Sequence, residues 1–384
     1  MFTLLLVVIY LSFISLGLPD SLLGAAWPSM QPQLGVPLSF AGCLSMIISC
    51  GTVISSLLSE RLLRRFGTGL VVSCSVLMTA VALFGYSVSG SFLMLCLFAV
   101  PYGLGAGAVD AALNHYVALH YASRHMSWLH CFWGVGCAVS PYIMSFYLRR
   151  GDDWQGGYRA ISVLQIILTA VLFCSQPLWK RSSAGADTAE AARIPMRKLL
   201  REPGVIQVLV TFFSYCALES TAGLWASSFL VQQRGVGPQT AAKFASLFYI
   251  GITFGRLLSG FAADRFGDRR MVRFGLCGIG GGVLLLFLPL PDIIALSGLI
   301  LIGFGCAPVY PCQIHATPVL FGKERAQALI GMQMASAYIG TTLMPPLFGV
   351  IADRAGLRMF PLFLAFFLVL MALLTEQTQK SAKA

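Results

Sequence analysis

The chain has 384 residues, of which 57% are hydrophobic and only 11% are charged, with a formal net charge of +11. Soluble domains are about 45–50% apolar and about 25% charged, so this composition excludes both an ordinary soluble domain and a disordered chain. It is typical of a helical protein that crosses a membrane many times.

Apolar stretches of about 17–25 residues, the length that crosses a bilayer, follow one another with short breaks. We predict twelve spans, numbered 1 to 12 in chain order. Those of the first half cover about 2–24, 38–59, 68–87, 91–118, 126–147 and 157–179. Those of the second half cover about 205–230, 238–262, 271–289, 292–316, 325–349 and 354–376. The predicted fold class is therefore an all-α membrane protein.

An internal repeat predicts how these spans are grouped. The segment 51–72 recurs without a gap at 251–272, which is about half the length of the chain away. A repeat of this kind predicts two similar units. We expect an N-terminal six-helix bundle at 1–179, a cytoplasmic linker at 180–204 and a C-terminal six-helix bundle at 205–384 with a short cytoplasmic tail. The end of the linker, 195–202, has the pattern of a short amphipathic helix on the membrane surface, but a plain tether is the favoured interpretation.

The distribution of basic residues predicts the orientation. Of the 26 lysines and arginines, 19 fall on the side of the predicted spans that holds both termini and 7 on the other side. The positive-inside rule then places both termini in the cytoplasm of a multi-pass cell-membrane protein. Arg256 is counted on the cytoplasmic side. Because the net charge is explained by orientation, we expect no nucleic-acid partner.

A glycine, an acid and several arginines stand in register between spans 8 and 9, on the basic side. They are Gly260, Asp264, Arg265, Gly267, Arg269 and Arg270. This pattern resembles the signature that the major facilitator superfamily of transporters carries between helices 2 and 3 and again between helices 8 and 9. In the first half Glu60 replaces the glycine and Arg64 the aspartate. The resemblance implies twelve helices in two pseudo-symmetric bundles.

Three acids lie clear of the boundaries of the predicted spans: Asp20 in span 1, Asp110 in span 4 and Glu219 in span 7. A charge at mid-bilayer costs roughly 2.5–3.5 kcal/mol on insertion scales, so an acid kept there is expected to face a cavity or a partner. Asp20 and Glu219 occupy equivalent places in the repeat, and both are predicted toward the outer ends of their spans. Asp110 shares a helical face with Asn114 and is replaced by Tyr310 in the second half.

Within the superfamily the chain most resembles the fucose/glucose–proton symporter group. The resemblance rests on Gly17, Pro19, Asp20, Ser21, Trp27 and Pro28 in span 1, on Asp110 and Asn114 in span 4, and on His130, Trp133, Gly134, Gly136 and Pro141 in span 5. It implies that Asp20 and Asp110 serve sugar binding and proton coupling. A carboxyl group in a partly dry cavity can load and release a proton near neutral pH, which suits that role.

Sugars are commonly held by amides and carboxylates against an aromatic face, because hydroxyls need polar partners and C–H faces need apolar surface. The substrate-binding candidates are polar or aromatic side chains in the proposed central spans: Asn114, His130, Trp133, Glu219, Trp225, Tyr310, Gln313 and Gln333.

The predicted function is secondary active transport, with two halves that rock around a site formed mainly by spans 1, 4, 5, 7, 10 and 11. We expect proton-coupled uptake of a sugar or similar small polar solute. One alternative is a proton-driven exporter of sugars or amphipathic drugs, since Gly134, Gly136 and Pro141 are similar to the span 5 motif of such antiporters. A remote alternative is a membrane receptor or enzyme without transport.

The sequence predicts no cofactor and no metal. It contains no G-x-x-x-x-G-K-[ST] motif, which argues against an ATP-driven pump, and no C-x-x-C pair, which argues against a zinc site. The expected partners are the solute, protons and the lipid bilayer, and the expected state is a monomer. An enzyme would need His, Asp or Ser side chains clustered near one interface, and the sequence shows no such cluster.

Overall fold

The structure, a computed structural model, describes residues 2–121, 123–151, 153–179, 196–288 and 291–381. Its regular structure is helical, and most of the predicted linker, 180–195, lies outside the described residues. A one-turn helix, Met196–Leu199, lies within the segment 195–202 that has the pattern of an amphipathic helix.

Twelve spans in the described residues are long and apolar enough to cross a membrane, which confirms the predicted fold class. Span 1 consists of two consecutive helices, Phe2–Asp20 and Leu22–Leu34. The other five spans of the first half are Phe40–Phe66, Thr68–Val88, Phe92–His120, Ser123–Leu148 and Trp154–Cys174. Those of the second half are Val205–Arg234, Pro238–Phe266, Asp268–Phe287, Asp292–Phe321, Lys323–Ala355 and Phe360–Ser381.

The spans fall into two length classes, and every third span is short. Spans 3, 6, 9 and 12 have 21, 21, 20 and 22 residues. At 1.5 Å of rise per residue they match a hydrocarbon core of about 30 Å. The single helices of the remaining spans have 26 to 33 residues. The same order of lengths in both halves fits the duplication that the repeat predicts.

The repeat also recurs as packing contacts. A Cβ atom added at Gly51 in span 2 would lie 3.1 Å from the backbone of Gly103 in span 4. At the equivalent place in the second half, Gly251 of span 8 meets the carbonyl of Ile300, and Gly303 meets that of Phe248. Glycine at these positions lets two helix backbones touch. The recurring glycines therefore set the spacing of spans 2 and 4 and of spans 8 and 10.

The two halves touch at the end of the spans that lies away from the termini. A Cβ atom at Gly24 in span 1 would lie 2.5 Å from the carbonyl oxygen of Gly223 in span 7. The Ser145 hydroxyl in span 5 donates to the Gln239 carbonyl at the start of span 8, at 2.7 Å. These contacts bring the two halves together at that end.

Three sequence predictions about position are wrong. Span 1 was predicted to end near residue 24, but its second helix continues to Leu34 through Pro28 and Pro32. Neighbouring helices make prolines tolerable inside a membrane helix. Asp20 therefore lies in the middle of span 1 and not toward its outer end. Glu219 likewise lies halfway along the 30-residue helix Val205–Arg234.

Candidate functional site

The break in span 1 places Asp20 at the centre of the protein. The first helix ends at Asp20, just after Pro19, whose ring nitrogen has no proton to donate to the helix. The side chain of Ser21 then donates to the Cys137 carbonyl at 2.8 Å and lies 2.7 Å from the Ser140 hydroxyl. These contacts fix the break against span 5.

Two glycines bring span 1 and span 5 into backbone contact around this break. Gly17 faces the carbonyl of Trp133, and Gly136 faces the carbonyl of Ile14. At this spacing the Trp133 indole N–H donates to Asp20 Oδ2 at 2.7 Å. That distance is at the short end of the range for hydrogen bonds between an N–H group and an oxygen.

Asp20 is exposed although it lies in the middle of a membrane span. An exposed carboxyl at that depth faces a space between the helices that water can enter. The contact of Gly24 with Gly223 obstructs this space on the side away from the termini.

Arg256, which the sequence analysis placed among the cytoplasmic anchors, lies inside the membrane-spanning part of span 8. Its guanidinium is 3.6 Å from Glu219 Oε1, and the two side chains are 17% and 20% exposed. Its Cζ atom lies 5.1 Å from the centroid of the Trp133 ring. We call Asp20, Trp133, Arg256 and Glu219 the central cluster.

The central cluster joins the two halves, since Asp20 and Trp133 belong to the first and Arg256 and Glu219 to the second. Removing Arg256 from the cytoplasmic count leaves 18 basic residues there against 7, so the predicted orientation does not depend on it. One signal could have revealed Arg256. It stands within an apolar run of the repeat, at the position where the first half has Ser56.

Asp110 and Asn114 form a separate pair on span 4. The Asn114 amide donates to Asp110 Oδ1 and to the Asp110 carbonyl, both at 2.9 Å, so the two side chains do share a helical face. Both residues are half-buried. Asp110 interacts electrostatically with Asp20, which links the pair to the central cluster without direct contact.

Three other candidates make contacts inside one half. His130 is half-buried and packs edge-on against Phe13, with ring centroids 5.8 Å apart. The Tyr310 hydroxyl lies 3.2 Å from the sulfur of Met334. Gln333 is fully buried, and its side-chain oxygen accepts from Thr317 at 3.1 Å. The contacts of Tyr310 and Gln333 tie spans 10 and 11 together.

The remaining candidates lie away from the central cluster. Trp225 is fully buried, and its indole N–H donates to the Pro345 carbonyl at 3.0 Å, so it packs span 7 against span 11. Gln313 lines a different pocket, between spans 7, 9, 10 and 12, together with Asp268 and Arg269. Among the described residues, no group of three or more His, Cys, Asp or Glu side chains could hold a metal ion.

The glycine–acid–arginine pattern lies at the junction of spans 8 and 9. Gly267 has a φ of +78°, a conformation that favours glycine, and it forms the tight turn between the two helices. Asp268 contacts His315 at 2.7 Å, and Arg269 lies 3.4 Å from Glu376 of span 12. Of the other members of the pattern, the last turns of span 8 contain Gly260, Asp264 and Arg265, and the first turn of span 9 contains Arg270.

Comparisons with known proteins agree with this architecture. The sequence profile described as Major Facilitator Superfamily matches residues 9–326 and 208–381. The chain is 24% identical to the cis,cis-muconate transport protein of Acinetobacter baylyi, over 93% of this chain and 90% of that protein. It is 22% identical to the glucose/mannose transporter GlcP of Bacillus subtilis, over 73% of this chain and 70% of that protein.

A solved structure has the same fold. The crystal structure of a D-xylose-proton symporter superposes with a TM-score of 0.74 at 11% sequence identity, over 96% of each chain. The names of these proteins refer to an organic acid as well as to sugars. The narrower resemblance to the fucose/glucose–proton symporter group therefore stays an expectation.

Proposed function

Because the chain belongs to the Major Facilitator Superfamily and is a multi-pass membrane transporter rather than an enzyme, we propose that it takes up a small sugar-like solute together with protons. The two halves would alternate between a state open to one side of the membrane and a state open to the other. The central cluster would hold the solute midway.

The observation that carries the proposal is the position of Asp20. A carboxyl group that is exposed in the middle of a span, yet accepts the N–H of Trp133 at 2.7 Å, can exchange a proton with water in the cavity. Proton-driven transport needs such a group, because protonation and solute binding must favour the same conformational state. Asp110, paired with Asn114, is a second carboxyl available for this step.

The chemistry of the central cluster suits a solute rich in hydroxyl groups. Two carboxyl groups and a guanidinium supply acceptors and donors, and Trp133 supplies aromatic surface. Asp20, Glu219 and the nearby Asp110 outnumber Arg256, so this region is negatively charged when all three acids are ionised. A neutral solute enters such a cavity more readily than an anion. A glucose/mannose transporter among the relatives supports the same class.

The presence of Arg256 favours an organic acid as a second candidate for the transported solute. A guanidinium binds a carboxylate through two parallel hydrogen bonds, and Arg256 is partly exposed beside the carboxylate of Glu219. The relative named for cis,cis-muconate transport carries a dicarboxylate in its name. Such an anion would need the aspartates to be protonated before it could bind.

We also propose that both termini are cytoplasmic, from the 18 to 7 distribution of basic residues. With the far end closed by Gly24 and Gly223, the cavity would then open toward the cytoplasm. An exporter in the same fold would show the same geometry, so direction is decided by the flux measurement.

The test uses purified protein in proteoliposomes without an imposed gradient. D-Glucose, L-fucose and cis,cis-muconate are added in turn, and the external pH is recorded. Symport of a sugar predicts that the medium becomes alkaline with a sugar, and that Asp20→Asn or Asp110→Asn abolishes the signal. Asp292→Asn, the same change at an exposed acid, is the matched control. Acidification would indicate antiport, a response to muconate alone would favour the organic acid, and full activity in both aspartate variants would refute the proton role.

A further inference from the structure

We propose that Trp133 is a positioning residue that couples proton binding at Asp20 to solute binding at the Arg256–Glu219 pair. The inference deepens the proposed function and rests on it for the identity of the two events. It stands on three contacts that form a continuous path: 2.7 Å from the indole nitrogen to Asp20, 5.1 Å from the indole ring to Arg256, and 3.6 Å from Arg256 to Glu219.

The first step concerns the hydrogen bond to Asp20. An ionised carboxylate accepts the indole N–H strongly, whereas a protonated carboxyl is a weaker acceptor and needs an acceptor of its own. Four other titratable groups interact electrostatically with Asp20: Asp110 and Tyr102 from span 4, Cys137 from span 5 and Tyr249 from span 8. Because the protonated carboxyl is the weaker acceptor, proton uptake at Asp20 loosens the indole from span 1.

The second step concerns the ring face. The guanidinium of Arg256 lies over the indole, an arrangement held by cation–π attraction, and Tyr249 packs edge-on against the same ring at 6.5 Å. The indole is thus held on its edge by one half of the protein and on its face by the other. A shift of the indole changes the position of the guanidinium, and the reverse is equally true.

The third step concerns the pair in the second half. The separation of 3.6 Å between Arg256 and Glu219 exceeds the 2.7–2.9 Å typical of a charge-assisted hydrogen bond, and Glu219 Oε1 is buried without a hydrogen bond among the described residues. Arg256 carries five N–H donors and has Glu219 and Tyr215 as neighbours, so donors remain for a hydroxyl or carboxylate of the solute. A solute bound there draws the guanidinium off the indole.

The position of Trp133 makes this path sensitive to the movement of the halves. Gly134 meets Thr253, a residue one turn from Arg256, so spans 5 and 8 touch beside the stacked pair. Rocking of the halves separates Trp133 from Arg256. By thermodynamic linkage, the factor by which the solute changes proton affinity at Asp20 equals the factor by which the proton changes solute affinity.

The first test needs no solute. The tryptophan fluorescence of the purified protein is titrated with acid in the wild type and in Asp20→Asn, Trp133→Phe and Glu219→Gln. We expect an acid-dependent change in the wild type that is lost in Asp20→Asn, although Trp133 is still present, and lost in Trp133→Phe. Glu219→Gln should keep the change and move its midpoint. Trp225→Phe, which loses an indole N–H outside the central cluster, is the matched control and should match the wild type.

The second test measures transport of D-glucose and L-fucose by Trp133→Phe, which keeps an aromatic ring but has no N–H. Because Trp133 also lines the proposed solute site, its replacement should slow counterflow exchange as well, but accumulation driven by a pH gradient should fall by about fivefold more than exchange does. The inference is overturned if Asp20→Asn keeps the fluorescence change, if the wild type shows none, or if Glu219→Gln leaves the midpoint unmoved. It is also overturned if exchange and accumulation fall equally. A wild type that moves neither sugar refutes the sugar proposal and leaves the fluorescence test decisive.

Discussion

The charge pair of Glu219 and Arg256 gives the sharpest prediction about stability. Glu219→Gln removes the partner of an arginine that lies inside a membrane span and is only 17% exposed. At 3.6 Å and an effective dielectric constant of about 20, the attraction is about 4–5 kcal/mol before desolvation is subtracted. Removing one member of a buried pair costs about 3–5 kcal/mol, because the other charge is left unpaired.

Partial exposure favours the lower end of this range, so we expect a loss of about 3 kcal/mol in unfolding free energy. For a chain of this length that corresponds to a fall of about 4 °C in melting temperature. The double variant Glu219→Gln/Arg256→Gln leaves no unpaired charge, so it should regain most of the lost stability. An increase in stability on adding the second substitution distinguishes an ion pair from ordinary packing, for which the two losses would add.

The assay is thermal melting of the purified protein in detergent. Glu376→Gln is the matched control: it removes the same kind of partner from Arg273, but both side chains are more than 40% exposed. Solvent screening should make that change much smaller. The reasoning would be refuted if Glu219→Gln melted at the wild-type temperature. It would also be refuted if the double variant were no more stable than the single one.

Two further predictions concern the contacts around the break in span 1. Gly24→Val should prevent closure of the far end, because a Cβ atom there would lie 2.5 Å from the Gly223 carbonyl oxygen. Transport should fall, and a cysteine introduced by Ser228→Cys, buried at the same end, should react faster with an impermeant maleimide; unchanged labelling would count against this. Gln165→Leu should lower the unfolding free energy by about 1–3 kcal/mol, since the buried Gln165 amide bonds the side chain and carbonyl of Ser15. Melting at the wild-type temperature would contradict that estimate.

The fold could be predicted because the bilayer leaves few alternatives. Backbone polar groups must be satisfied inside each span, so apolar length alone indicates the helices. The repeat 51–72/251–272 then groups them. The ends were less predictable: prolines usually stop a helix, yet Pro28 and Pro32 lie inside the second helix of span 1.

The candidate site could be predicted only in part. Asp20 and Glu219 were found because charged side chains are rare inside spans, and Trp133 because of its resemblance to a family motif. Arg256 was missed because a basic residue near the end of an apolar run reads as a membrane anchor. Whether it faces lipid, headgroups or the cavity depends on the rotation of span 8, which is set by packing. For the same reason the sequence did not distinguish Trp225, which faces span 11, from Trp133, which faces the cavity.

The two length classes of the helices have a consequence for the surrounding lipid. Spans 3, 6, 9 and 12 fit a hydrocarbon layer of about 30 Å without tilting, whereas the helices of spans 7, 10 and 11, with 30 to 33 residues, are about 45–50 Å long. The long helices must tilt or project into the headgroups, and their ends sweep through that region as the halves move. Mismatch with lipid costs fractions of a kcal/mol per ångström, so bilayer thickness adds a term to the balance between the two open states. Acyl-chain length should therefore alter the rate of transport in vesicles even when the protein is unchanged.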